Sequence, residues 1–389
     1  MNGKKLLTGL SYIDHGYIEE SEFDAFPEKG EESPSRQKGG RKYRKLLLIA
    51  AVVTAMTVFM GTAVFSRWSD SMQKRYNPSE DAKQQAQKSG LSVLYEDSAS
   101  DGGSVLTATD QGITVSLVQS VVDQSKAQIV LRVEGFTPEE DHGVRPNVWM
   151  EVPATLDGEE HFWVSRTAEF DDGITRNLDG EWVYGDGTAV EENQDGWQKG
   201  RYVKEDGSLE LVLFYYFQDT SGVNLGKEIQ LHFTGFGTTT DTGKAASTSD
   251  KMVEGSWDLR WVLEGSDNAI RIEPNVRLSD NVTLLEAEIG QVTIKTLYQT
   301  DTYWHGWETL ESLSPGLAGI QLKDGTMIQC HPAGEGYQDL EGLIYFVEST
   351  TFQGMVDLEQ AESLVYYDGW ELDDAGNPTI PVYRYVPIS

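Results

Sequence analysis

"GITVSLVQSVVDQSKAQIVLRVEGF", residues 112–136, is the stretch on which the fold turns. Ile113, Val115 and Leu117 alternate with polar residues, a polar stretch from Asp123 to Lys126 interrupts, and Ile129, Leu131 and Val133 alternate again. Neighbouring side chains of a strand point to opposite faces, so this pattern predicts a hairpin with one apolar face. The format recurs. "LELVLFYYF" (209–217) reads as a buried strand, with Ile229, Leu231 and Phe233 as its alternating partner. Trp257, Leu259, Trp261 and Leu263 share another face, and "VTLLEAEIGQVTIKTLYQT" (282–300), "IQLKDGTMIQ" (320–329) and "LIYFVES" (343–349) follow. Asp324-Gly325 between alternating runs signals a hairpin turn. Many short strands with regular turns favour antiparallel sandwiches over parallel α/β sheets.

Upstream, residues 46–65 carry no charge, Asn, Gln, His or Pro over twenty positions. At a helical rise of about 1.5 Å per residue that length crosses roughly 30 Å of hydrocarbon. A cleaved export signal would follow a short basic leader, and a helix buried in a soluble domain would carry a polar stripe; neither description fits. Arg36, Lys38, Arg41, Lys42, Arg44 and Lys45 precede the run, whereas Arg67, Lys74 and Arg75 follow it more sparsely. Excess basic charge stays cytoplasmic against anionic lipid, so Arg41, Lys42, Arg44 and Lys45 orient the span with the amino terminus inside. The expected fold class is therefore mainly β, with one transmembrane helix followed by two tandem β-sandwich (Ig-like) extracytoplasmic domains. Their expected bounds are 101–237 and 255–389, with 238–254 as a linker. Ala50, Thr54, Thr57 and Gly61 form a small-residue stripe on which a second helix could approach closely; such stripes arise easily by chance, and transmembrane self-association is the alternative reading. The segment 66–100 reads as a stalk. Its "NPSEDAKQQAQKSG" (77–90) offers Asn77 as a cap, Pro78 at the first helical position, Glu80 for a capping box and Gly90 as a stop.

The formal net charge is −32, and residues 1–45 hold nine Lys or Arg against eight Asp or Glu, so the acidity belongs to the outer part. Such a surface repels phosphate, which excludes nucleic acid as its partner. With Cys330 as the one cysteine there is no internal disulfide. "GFGTTTDTGKA" (235–245) misses the P-loop spacing and the Ser or Thr that would hold magnesium, and Asp241-Thr242-Gly243 lacks the second triplet of an aspartic protease. His142, His161, His232 and His305 stand apart without a Ser or Cys partner pattern, and Cys330-His331 supplies two of the usual four metal ligands. The expectation is a non-enzyme without cofactor or metal. Trp182, Trp304 and Trp307 lie in turn-rich stretches where exposed rings would stack on an envelope glycan, whereas Trp149, Trp257 and Trp261 belong to strands and a core.

At the amino terminus Leu6, Leu10, Ile13 and Tyr17 recur at helical spacing and run into Ile18, Glu19 and Glu20. A helix this short is marginal alone, so its apolar stripe calls for a groove on a partner, to whose basic rim the two acids would turn. Residues 27–45, rich in Pro, Gly, Ser and charge, form a tether to the membrane.

"GLSYIDHGYIEESE" ahead of that tether, the span, "NPSEDAKQQAQKSG", the opening hairpin, "LKDGTMIQ" and "VDLEQAESLVYYDGWEL" together resemble a family of single-pass membrane proteins of Firmicutes, the domain of unknown function 4179. The resemblance implies an anti-sigma-factor-like protein, in which residues 1–26 hold an extracytoplasmic-function sigma factor and the outer part receives an envelope signal. Where the family's inner pattern has an acidic pair this chain reads Asp14-His15-Gly16, and it lacks the His and Cys set of zinc-binding relatives. A different class of function is an envelope-binding or adhesive module whose inner tail is an anchor alone.

Overall fold

The computed structural model of the protein describes residues 68–95, 104–139, 141–150, 154–176, 181–218, 222–240, 248–279, 281–300, 316–340, 343–372 and 378–388. Trp68–Ser389 belong to one compact unit. The partner-binding residues of 1–26, the orienting basic residues and the run 46–65 lie outside the described residues. Among those described, no helix is long and apolar enough to cross a membrane.

Two short helices, α1 (Asp70–Tyr76) and α2 (Glu80–Lys88), precede the strands. An amino-terminal lobe holds β1 (Ser92–Leu94), β2 (Thr107–Asp110), β3 (Ile113–Val122), β4 (Lys126–Glu134), β5 (Val144–Trp149), β6 (Thr155–Leu156), β7 (Trp163–Phe170), β8 (Ile174–Arg176), β9 (Trp182–Tyr184), β10 (Leu209–Phe217), β11 (Glu228–Thr240) and β12 (Thr248–Val262). A carboxyl-terminal lobe holds β13 (Ile270–Ile272), β14 (Val276–Arg277), β15 (Val282–Ile289), β16 (Thr293–Thr300), β17 (Leu317–Leu322), β18 (Met327–Leu340), β19 (Leu343–Phe352), β20 (Ala361–Leu372) and β21 (Pro378–Pro387). The chain is mainly β, in antiparallel sheets.

In the amino-terminal lobe one sheet runs β1-β3-β4-β10-β7 and a second runs β12-β11-β5. Leu117, Leu131 and Leu211 sit opposite one another across the first sheet. They pack against Leu231, Phe236, Trp257 and Trp261 of the second. The opening hairpin is as its alternation predicts, β3 and β4 around a turn at 123–125. A register shift between Leu117 and Gln119 then reverses the faces of β3. Such a bulge offsets side-chain direction by one position. Beyond it Val122 faces the lobe's core, while Gln119 and Val121 turn to the outer side where the helices lie.

Three expectations are corrected. Ile229, Leu231 and Phe233 on β11 do not pair with β10, whose neighbours are β4 and β7; they face it across the core. Periodicity defines faces, and many strands share a face type. The stretch 238–254, expected as a linker, is strand at both ends, with Thr238 opposite Asp250. Its Thr and Ser content suits a half-buried pleated surface as well as a loop. Trp257, Leu259 and Trp261 thereby close the first core, not a second one, and the chain passes between lobes at 263–269. Finally, within the expected stalk 66–100 the described residues, 68–95, are not free. Trp68, Met72, Tyr76, Ala86 and Leu91 are buried against Val121, Val130, Val212 and Phe214 on the outer face of the first sheet. Ser69 caps α1 and Ser79 caps α2, while Asn77, expected as the second helix's cap, ends the first in a left-handed conformation.

The carboxyl-terminal lobe differs from a pair of separate sheets. Its strands form one sheet in the order β13-β15-β16-β19-β18-β17-β20-β21. β18 pairs with β17 through 327–329 and with β19 from Cys330 onward. The sheet therefore folds over at Cys330, enclosing Leu284, Ile289, Ile294 and Tyr298 from one half and Leu317, Ile320, Leu364 and Tyr366 from the other. The Asp324-Gly325 turn joins β17 and β18 as its sequence predicts.

Candidate functional site

The described residues bring chemistry together at the seam between the lobes. It is built from the β3–β4 turn, the edge of β16, the end of β19 and both helices. Asp123 is fully buried and accepts from Thr293 Oγ1 at 2.6 Å and from the backbone N–H groups of Ser125 and Lys126 at 2.9 and 3.0 Å. Burial raises its carboxyl above the usual range, against those three donors and the charge of Lys126. Lys126 is buried as well. Its Nζ donates to Thr351 Oγ1 at 3.2 Å and stands over the rings of Phe214 and Tyr216 at 4.9 and 4.7 Å. Among the described residues it makes no ion pair. Burial, then the Arg75 guanidinium, push its ammonium down to about 7, against Asp123 and Glu169.

Further polar groups crowd the same seam. Gln128 donates to the hydroxyl of Tyr76 on α1, and burial lifts that phenol far above its ordinary value. Ser89 donates to Gln291 at 3.1 Å and Gln85 to Asp357 at 3.2 Å, tying α2 to the carboxyl-terminal lobe. The side-chain oxygen and nitrogen of Gln124, Gln128 Oε1 and Thr350 Oγ1 are buried without a hydrogen-bond partner among the described residues. The apolar contribution of the carboxyl-terminal lobe to the cluster under the helices is Val292, with Met355 half-buried beside it.

α1 is fixed from its other side by charge. Glu210 accepts from the first backbone N–H groups of the helix, those of Asp70 and Ser71, at 3.1 and 2.9 Å. Asp171, almost fully buried, takes Lys74 and Lys204 at 2.6 Å each. Burial alone would raise its carboxyl, but the two ammonium groups hold it below the usual range. Arg75 pairs with Glu169 at 2.6 Å and lies over Phe214 at 4.4 Å. Charge thus ties α1 to the amino-terminal lobe, while α2 and its cap bond to the carboxyl-terminal one.

The other candidates stay apart. Trp182 is 47 % exposed on β9, while Trp304 and Trp307 lie outside the described residues. His232 pairs with Asp258 at 2.7 Å beside a shallow groove of about 330 Å³. Ser256 gives its hydroxyl to Asp258 at 3.3 Å and not to the imidazole, so no proton relay runs from serine to histidine. Cys330 is buried with its thiol on the Leu317 carbonyl at 3.3 Å. Among the described residues no group of three or more His, Cys, Asp or Glu is placed to hold a metal ion. Sequence reasoning passed over the seam because Asp123 to Lys126 reads as an ordinary polar turn. The signal it contained was a Lys opening a strand whose next charged residue is Arg132.

No protein-family model matches the chain, and no curated protein does. Among solved structures it is similar to a conserved domain protein from Bacillus anthracis, at 10 % identity and a TM-score of 0.34, over 76 % of this chain and 93 % of that one.

Proposed function

We propose that the protein is a membrane-anchored signalling protein, anti-sigma-factor-like. Residues 46–65 span the membrane, the β lobes act outside as sensor or scaffold, and residues 1–26 engage an extracytoplasmic-function sigma factor within. The observation that carries this reading is the position of α1: a helix beginning five residues after the apolar run is built into the seam of the outer body, so a change at the seam reaches the membrane anchor through a few residues. The inner contact is the stripe Leu6, Leu10, Ile13 and Tyr17 with Ile18, Glu19 and Glu20 at its end. A peptide of residues 1–45 captures a sigma factor encoded beside the gene, and Ile13→Asp abolishes the capture. Failure of the wild-type peptide to capture it removes the reading.

The second reading, an envelope-binding or adhesive module, is favoured by the exposed rings of Trp182, Tyr367 and Tyr385. It predicts that residues 68–389 sediment with cell wall and that deleting residues 1–26 leaves function intact.

A further inference from the structure

We propose that the seam is a releasable clasp, at which the two lobes part at neutral pH and close under alkaline conditions, with Lys126 as the group that sets the balance. The inference concerns the outer body and stands whether or not residues 1–26 bind a sigma factor.

Geometry comes first. Each lobe owns its apolar core, one between two sheets and one inside a folded-over sheet. Between them the chain crosses once, at 263–269, where Ser266 donates its N–H to the Val122 carbonyl at 2.9 Å. The seam joins buried Asp123, Gln124, Lys126 and Gln128 of one lobe to Thr293, Thr350 and Thr351 of the other, and Gln124, Gln128 Oε1 and Thr350 Oγ1 lack partners among the described residues. Desolvated polar groups without partners oppose burial, so the seam gains far less from closure than either core does. Opening there rehydrates them and leaves both cores intact.

Lys126 decides the direction. From each element packed on it the facing charged or titratable groups are Arg75 and Tyr76 of α1, Asp123 of its own turn, Glu169 of β7 and Tyr216 of β10; β19 presents Thr351. Two acids therefore answer two cations, and Lys126 has a hydroxyl and two ring faces where a carboxylate would hold its charge. With the clasp closed its ammonium is pushed down to about 7, and water entering where Thr351 leaves raises it from there towards the ordinary lysine value of 10.5. Above about 7 the open state binds more protons, so closure weakens as pH falls towards that value and is independent of this group below it. Asp123, raised by burial, acts oppositely, favouring closure as pH falls through its folded value towards 3.8.

The test is a distance measurement on the full-length chain in lipid nanodiscs, with dyes on cysteines introduced as Glu205→Cys and Gln360→Cys, exposed sites on different lobes. On lowering the pH from 10 to 7 the separated population rises at least tenfold in the parent chain. In Lys126→Met the lobes stay closed throughout, and in Lys126→Arg, charged at every pH used, they stay separated. A parent population that does not change with pH, or a Lys126→Met chain that retains the change, overturns the proposal; a Lys126→Arg chain that closes like Lys126→Met does the same.

Discussion

Trp257 shows how much one side chain settles in this protein. It is fully buried, meets Phe236 edge-on at 5.0 Å and donates its indole N–H to the Ile113 carbonyl at 2.9 Å. It thus locks the second sheet to the first. Trp257→Ala removes the ring and leaves a cavity, and should cost about 3–5 kcal/mol in denaturant unfolding. Asp171 is the electrostatic counterpart. Its carboxyl is depressed in the folded state, so its contribution is complete above the unfolded value of 3.8 and is lost as pH falls through the lower folded value. Asp171→Asn leaves Lys74 and Lys204 without their shared partner and should destabilise the amino-terminal lobe by roughly 2–4 kcal/mol at pH 7. The loss should shrink as pH is lowered below 3.8, which unfolding curves at pH 7 and pH 3 would show.

At the scale of elements, the sequence made faces legible and left partners hidden. β3, β4 and β10 have the limits that alternation and turn residues announce. β11 pairs with the strand that follows it, β12, and not with β10, because Thr238–Thr240 and Thr248–Asp250, which read as a linker, extend the two strands against each other. The bulge after Leu117 is equally silent in the sequence, although it turns Gln119 to the Ser69 backbone N–H and hydroxyl at 3.0 and 2.9 Å and so prepares the bed for α1. α1 itself was missed because seven residues are too few to show a period. Its stability comes from docking. Met72→Ala, at a fully buried position, should cost about 2–5 kcal/mol and release the helix from the sheet, seen as new cleavage by trypsin after Lys74 and Arg75. Gly135, which ends β4, has φ +80°, and a Cβ there would lie 2.1 Å from the Gly112 carbonyl oxygen. Gly135→Ala should therefore shift the hairpin ends apart and lower stability by about 1–3 kcal/mol in the same unfolding assay.

On the scale of the whole molecule, the account rests on α1 and α2 belonging to the same body as the β lobes and not hanging from it as a stalk. The seam could not have been read from sequence, since its members are scattered from Tyr76 to Thr351 and each alone passes for a turn or strand residue. Its position gives the described residues a polar joint between two apolar cores, with α1 and α2 beside it. The most direct measurement is amide hydrogen exchange on the full-length chain in nanodiscs at pH 9.5, following Gln73 and Asn77, whose N–H groups bond the carbonyls of Ser69 and Gln73 at 2.9 and 2.8 Å. Docked helices predict that both amides exchange within about tenfold of those in β3 and β4, as members of one cooperative unit. Exchange at the rate of an unstructured peptide, with β3 and β4 still protected, would contradict it.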